Sequence, residues 1–304
     1  MKTVGTGAGD NGRTIKKSNP LKSWFPALVI VLALVVAFLV FNYVFGSPDN
    51  FENGKEAAAQ IKAWKEAGSV GEAPKHWTEG HPLDGNMQGT IYKGGVIVPI
   101  GMSLFVMVWV FFIERLISVV FMAKGSGSVD VFVQRVRLAL RDGDIDGAIQ
   151  ACDKQRGSVA NVVRAGLVKY KEVESDTTHD KETNREAIQK ELEEATTLEL
   201  PMLERNLPII ATIASIGVLV GLFGTVLGMI KAFSAIAVTG TGDSTELATG
   251  ISEALVNTAI GIGTSALAII FYNFFTVQID SLTYQIDEAG YSIVQTYETT
   301  TTHK

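Results

Sequence analysis

A chain of 304 residues that is 47% hydrophobic, with a formal net charge of −6 and one cysteine, already leaves several classes out. The acidic balance gives no footing for nucleic acid, and Cys152 alone allows no intrachain disulfide. The mean hydropathy of +0.23 is carried by four apolar blocks, which points to an all-α integral membrane protein with four transmembrane helices.

In chain order, residues 1–23 form a basic tail, with Lys2, Arg13, Lys16, Lys17 and Lys22 set against Asp10. The first block, 24–45, exceeds the apolar core of a signal peptide (about 7–15 residues), and no small-x-small cleavage site precedes Gly46-Ser47, so a retained span is expected. Residues 46–94 read as a loop with a helical segment near 55–65. Its His76 and His81 are too sparse to hold a metal. The second block, 95–122, contains Pro99 near its start and runs past Glu114-Arg115, expected as an ion pair or interface anchor, with a coupling role as the alternative.

The stretch 123–206 is polar and rich in helix formers. Val133, Val136 and Leu140 recur at helical spacing over 129–142, and Asp144 can cap a second helix over 145–154. A third helix is expected over 159–170, a polar connector over 175–181 and a charged helix over 184–205, where Glu186, Lys190 and Glu194 fall at i,i+4. The third and fourth blocks, 207–233 and 251–277, flank a short loop, 234–250, and a tail follows over 278–304. The excess of basic residues in the N-terminal tail places both termini and 123–206 in the cytoplasm and the two loops in the periplasm, although lysines in 46–94 dilute that bias.

The last two blocks are the most informative. Gly217, Gly221, Gly224 and Gly228 repeat at i, i+4, i+7 and i+11, a small-residue stripe that lets helices approach closely, and Gly261 answers it on the fourth span. Thr258, Gly261, Ile262 and Ser265 are expected to share a face. Thr225 lies six residues before Lys231 and Thr258 six after Ser252, so both hydroxyls sit about 9–10 Å below the same membrane edge. Each threonine could simply bond to its own i−4 carbonyl and aid packing, or it could line a polar path. Glu253 opens the fourth span, where the positive end of the helix dipole favours an acid without any functional demand. The interiors of both spans lack Asp, Glu, His, Lys and Arg, so a proton relay there needs a titrating group from another chain.

The runs Leu222-Phe-Gly-Thr-Val-Leu-Gly-Met229, Lys231-Ala-Phe233, Ile251-Ser-Glu-Ala-Leu-Val-Asn-Thr-Ala-Ile-Gly261 and Tyr272-Asn273 resemble the signature of the MotA/TolQ/ExbB proton-channel family, closest to its ExbB branch. The likeness is strongest over 208–275 and fainter over 106–152, where Glu114-Arg115-Leu116 and Ala139-Leu-Arg-Asp-Gly-Asp144 fit. It implies a three-span ExbB-like core with a helical cytoplasmic domain, here preceded by one extra N-terminal span. It further implies a proton pathway through Thr225, Thr258 and Glu253, and a homopentamer in the bacterial inner membrane. ExbD-like or TolR-like single-span subunits would supply a membrane aspartate, and a TonB-like protein would be the driven partner. No cofactor, metal or catalytic residue is implied. A TolQ-like or motility motor subunit and a non-conducting membrane scaffold are the alternatives, while an enzyme is disfavoured by the lack of any nucleophile–base, phosphate-loop or metal constellation. The segment 1–94 departs from the family pattern and receives no role from it.

Overall fold

The computed structural model describes residues 20–69, 72–83, 85–175, 180–239 and 244–302. The basic tail thus falls almost wholly outside the described residues, as do 176–179 of the connector and 240–243 of the short loop. Among the described residues the chain is helical, apart from turns and one isolated antiparallel bridge between Phe51 and Pro82. Four helical segments are long and apolar enough to cross a membrane, Trp24–Phe45, Val98–Ala123, Leu207–Ser234 and Leu247–Thr299.

Helix α1 (Pro20–Leu39) runs into a π-helical turn, Val40–Phe45. It buries one narrow seam, Val29, Ala33, Ala37 and Phe41, spaced four apart, and packs on the second span with Phe25 edge-on to Phe111. The loop after it is folded rather than loose. Asn50 is buried, donating from Nδ2 to the Val44 and Phe45 carbonyls and accepting from Asn86, while Trp77 Nε1 donates to Gly46 O at 2.9 Å. Helix α2 (Gly54–Glu66) covers the helical segment expected from the sequence, and α3 (Met87–Tyr92), capped by Asn86, stacks Tyr92 on Phe41. Helix α4 (Val98–Arg115) begins with Pro99 in its first turn, where a missing N–H costs nothing, and continues π-helically over Leu116–Ala123.

At the opposite end of the spans lies a polar helical domain. Helices α5 (Val129–Arg141), α6 (Ile145–Gln155) and α7 (Ser158–Glu174) turn tightly on one another, with Asp144 accepting from the Gly147 amide as the α6 cap. Their shared core holds Phe132, Val136, Leu140, Cys152, Val163 and Leu167. Helix α8 (Lys181–Leu203) tolerates Pro201 in its last turn, then Asn206, with φ +64°, turns the chain into α9 (Leu207–Thr239). Pro208, the second residue of α9, suits a helix start.

Two expectations are corrected here. The connection drawn over 234–250 is mostly helix, because α9 runs to Thr239 and α10 begins at Ser244; no proline or glycine interrupts 229–239. The tail drawn over 278–304 is the second half of α10 (Ser244–Thr302), a single helix of 59 residues, about 88 Å long at about 1.5 Å per residue. Ile279, Leu282, Ile286, Ala289, Ile293 and Tyr297 are buried on one stripe, spaced three or four apart, which docks onto α5, α7 and α8. Arg137 ties this stripe down with contacts to Glu288 at 2.8 Å and to Ser292 at 3.1 Å, and Tyr170 meets Tyr297 edge-on.

Candidate functional site

The site is built on the hairpin of α9 and α10, the most extensively packed helix pair in the molecule. Backbone approaches backbone along the glycine stripe. A Cβ added at Gly217 would stand 2.5 Å from Ser265 Oγ, one at Gly224 2.5 Å from Asn257 Cβ, one at Gly228 2.8 Å from Gly250 O, and one at Gly261 2.6 Å from Gly217 O. Gly221 faces Gly261 and the Asn257 carbonyl in the same seam. The stripe therefore serves packing within one chain, and the four α9 glycines act as a set with Gly261. Ile262 does not join the face assigned to it. It is 54% exposed, because 100° per residue carries it past the seam that Gly261 and Ser265 occupy.

Thr225 and Thr258 meet across the seam, with Oγ1 to Oγ1 at 2.5 Å. Each also lies 3.1 Å from its own i−4 carbonyl, Gly221 O and Ala254 O respectively. Two hydroxyls have two protons for these three contacts, so one threonine donates to the other while the second donates to its helix. Reversing both rotors reverses the direction of donation without moving a heavy atom. Both side chains are half-buried, at the rim of the hairpin, and Thr225 shares an apolar groove with Leu222, Val226, Met229, Ile230 and Phe233.

One and a half turns nearer the loop, Glu253 is only 6% exposed. Lys231 Nζ grips it at 2.8 and 3.0 Å from its two oxygens, although the lysine side chain itself is 59% exposed. Gly95, with φ +78°, covers the same carboxylate so closely that any Cβ there would collide with Oε1. Asn257, 3% exposed, completes the arrangement. Its Nδ2 donates to Gly94 O at 2.8 Å and to Glu253 O at 2.9 Å, which pins the start of α4 to the start of α10. Sequence reasoning singled out neither Asn257 nor the Lys231 pairing. An amide inside an apolar span, four residues after an acid, was the available signal. Deeper in the seam Thr264 Oγ1 and Ser265 Oγ are buried with no hydrogen-bond partner; Ser265 was expected on this face, and Thr264 was not singled out.

Glu114 and Arg115 sit at the far end, apart from the threonines. Arg115 is 1% exposed and bidentate with Glu114, Nε to Oε2 at 2.7 Å and Nη2 to Oε1 at 2.6 Å. Arg115 Nη1 also donates to Leu203 O at 3.2 Å, and Asn206 Nδ2 to Glu114 Oε2 at 3.2 Å. The pair thus joins the end of α4 to the α8–α9 corner within the chain. In the polar domain, burial pushes the Cys152 thiol up to about 12, with nearby Asp153 adding to the effect. His76 caps a short turn by accepting from the Thr78 amide and stacks on Trp77. No group of three His, Cys, Asp or Glu able to hold a metal occurs among the described residues.

An all-α chain with four membrane-length helices, a glycine-packed hairpin carrying facing hydroxyls and a helical domain at one end is the type of protein that this geometry defines. The sequence model of the MotA/TolQ/ExbB proton channel family matches residues 155–288. The biopolymer transport protein ExbB of Salmonella typhimurium is 35% identical over 162 residues, 51% of this chain and 66% of that protein. The Tol-Pal system protein TolQ of Pseudomonas aeruginosa is 33% identical over 124 residues, 41% of this chain and 54% of that protein. A putative ExbB-like biopolymer transport protein of Synechocystis is 38% identical over 86 residues, 28% of this chain and 41% of that protein. The matched stretch, residues 155–288, belongs to the MotA/TolQ/ExbB proton channel family. The chain spans from about half to just under two thirds of the length of the first two of these relatives.

Proposed function

We propose that the chain is an ExbB-like subunit of a proton-motive-force-driven motor in the bacterial inner membrane. In this reading five copies form a channel around two ExbD-like or TolR-like single-span subunits, and the assembly energises a TonB-like partner for outer-membrane transport. Both termini and the polar domain face the cytoplasm, and the loop 46–94 faces the periplasm. Thr225, Thr258 and Glu253 lie on the proton pathway.

The observation that carries the reading is the Thr225–Thr258 contact inside spans with no Asp, Glu, His, Lys or Arg between residues 208 and 230 or between 254 and 279. Threonine does not titrate near neutrality, yet a reversible pair of hydroxyls can hand a hydrogen bond to water or to a carboxylate. The groove beside Thr225 leaves the pair open on one side to a further helix. A titrating aspartate on a single-span partner would complete the relay.

The test is proton flux in liposomes holding the protein with its co-purifying single-span partner, wild type against Thr225→Val plus Thr258→Val at matched assembly. Flux should fall at least tenfold in the double variant. Equal flux would overturn the pathway assignment and favour a non-conducting scaffold. The TolQ relative is matched at nearly the identity of ExbB, which keeps a TolQ-like role as the second reading. The identity of the co-purifying partners separates it, and would equally reveal a motility motor.

A further inference from the structure

The loop 46–94 and the ends of α9 and α10 enclose a cleft of about 800 Å³. Loop residues Glu52, Lys75, Glu79 and Lys93 line its walls, and Lys231 and Glu253 form part of its floor, giving three acids and three lysines around one space. His76 and His81 stand at its side. Six charged groups around one open cleft keep it wet: Glu52, Lys75 and Lys231 are exposed, and taking each charge out of water would cost several kcal/mol. At about 30 Å³ per water molecule the cleft has room for roughly two dozen.

Glu253 therefore has two unlike sides. One is closed by Gly95 and by the Asn257 bridge to Gly94, both fixed in the seam. The other meets Lys231 and the cleft. Lys93 stands on the cleft wall: its Nζ donates to Glu79 O at 3.3 Å, and burial lowers its pKa against the opposing pull of Glu79. The loop is held in place by Trp77 on Gly46, by Asn50 on Asn86 and by Tyr92 on Phe41, so the cleft is a built feature and not a gap beside a loose strand of chain.

We propose that the loop 46–94 builds a water-filled antechamber over Glu253, through which water and small hydrated cations reach the Lys231–Glu253 pair from the face that carries the loop. This gives the segment absent from the family pattern a role, and it rests on the proton-conducting reading above. The glycine turn at 94–95 directs the Glu253 carboxylate towards the antechamber, and the threonine pair lies beyond it.

The test uses single cysteines in the full chain with its partner, all in a Cys152→Ala background. Thr249→Cys places a thiol on the cleft wall, one turn before Glu253. Gln60→Cys on exposed α2 is the aqueous reference, and Leu255→Cys, on the exposed apolar face of α10, is the dry one. A small cationic methanethiosulfonate is applied to the detergent-solubilised complex, and proton flux is then measured after reconstitution, each variant against its own unmodified sample. Thr249→Cys should react within about tenfold of the Gln60→Cys rate. Its modification should cut flux at least tenfold, while modified Gln60→Cys keeps its flux. Reaction as slow as at Leu255→Cys, or complete modification with flux unchanged, overturns the antechamber. Absence of flux before any modification would overturn the conduction reading instead, and the labelling order would still decide whether the cleft is wet.

Discussion

Lys231 and Glu253 form an ion pair whose two members differ in their debt to it. The carboxylate is buried and the ammonium is more than half exposed. Removing the lysine leaves a charged group in a site it cannot leave, whereas removing the acid lets Lys231 return to water. Lys231→Met is therefore expected to cost about 2 kcal/mol, and Glu253→Gln under about 1 kcal/mol. Thermal unfolding in detergent should show the larger drop in Tm for the lysine variant. Equal drops would show that burial of Glu253 does not set the balance. Both residues were visible in the sequence as charges at the edge of the apolar blocks, but the contact was not, because 22 positions separate them and only the hairpin brings them together. The matched depth of Thr225 and Thr258 was legible for the opposite reason. Helical rise converts residue counts into depth, and both threonines count from the same edge. Their direct contact needed the rotation of both helices, which counting does not supply.

Helix packing was legible where small residues spell it out and hidden where the pattern resembles an ordinary polar tail. The glycine stripe of α9 predicted a close neighbour, and the structure gives each glycine an α10 atom where a side chain would go. Gly263 has open space around it instead, with nothing within 4 Å of an added Cβ. The two positions should therefore answer substitution in opposite ways. Gly224→Val must push against Asn257 and with it the bridge to Gly94, and is expected to lower Tm sharply or block assembly. Gly263→Ala meets no steric cost and removes a flexible residue from a helix interior, worth up to about 1 kcal/mol in its favour. Thermal stability and oligomer yield on size exclusion check both, and a destabilising Gly263→Ala would show that this face is covered in the assembly. The second half of α10 was missed although its apolar residues stand three and four apart. They are diluted by Asp, Glu, Gln and Thr, so the stretch has the composition of a solvated tail and the periodicity of a docked helix.

At the scale of the whole molecule, α10 is the element that links the two ends. One uninterrupted hydrogen-bonded helix carries Glu253 and Thr258 near one end and the stripe from Ile279 to Tyr297 near the other. The polar domain is clamped to the membrane part through this stripe, through the Glu114–Arg115 pair at the α8–α9 corner and through Gln155, whose Nε2 donates to Lys124 O at 2.8 Å. If the stripe holds the domain closed, loosening it should expose the buried centre of α5–α7. Cys152 reports on that centre. Its thiol is buried and raised to about 12, so at pH 8 the reactive thiolate is scarce and alkylation is slow. Leu282→Asp with Ile286→Asp puts two carboxylates into the stripe, where they find water only by undocking the helix. Alkylation of Cys152 by iodoacetamide should then quicken at least tenfold, while the hairpin of α9 and α10, which shares none of these contacts, keeps the complex assembled. The same linkage has a pH sign. Because the folded thiol holds its proton above the unfolded value of 9.0, domain stability should be flat below pH 9 and fall by about 1.4 kcal/mol per unit above it, a slope that Cys152→Ala removes. An unchanged alkylation rate in the double aspartate variant would mean that α5–α8 hold together without α10, and that the long helix rests on the domain without supporting it.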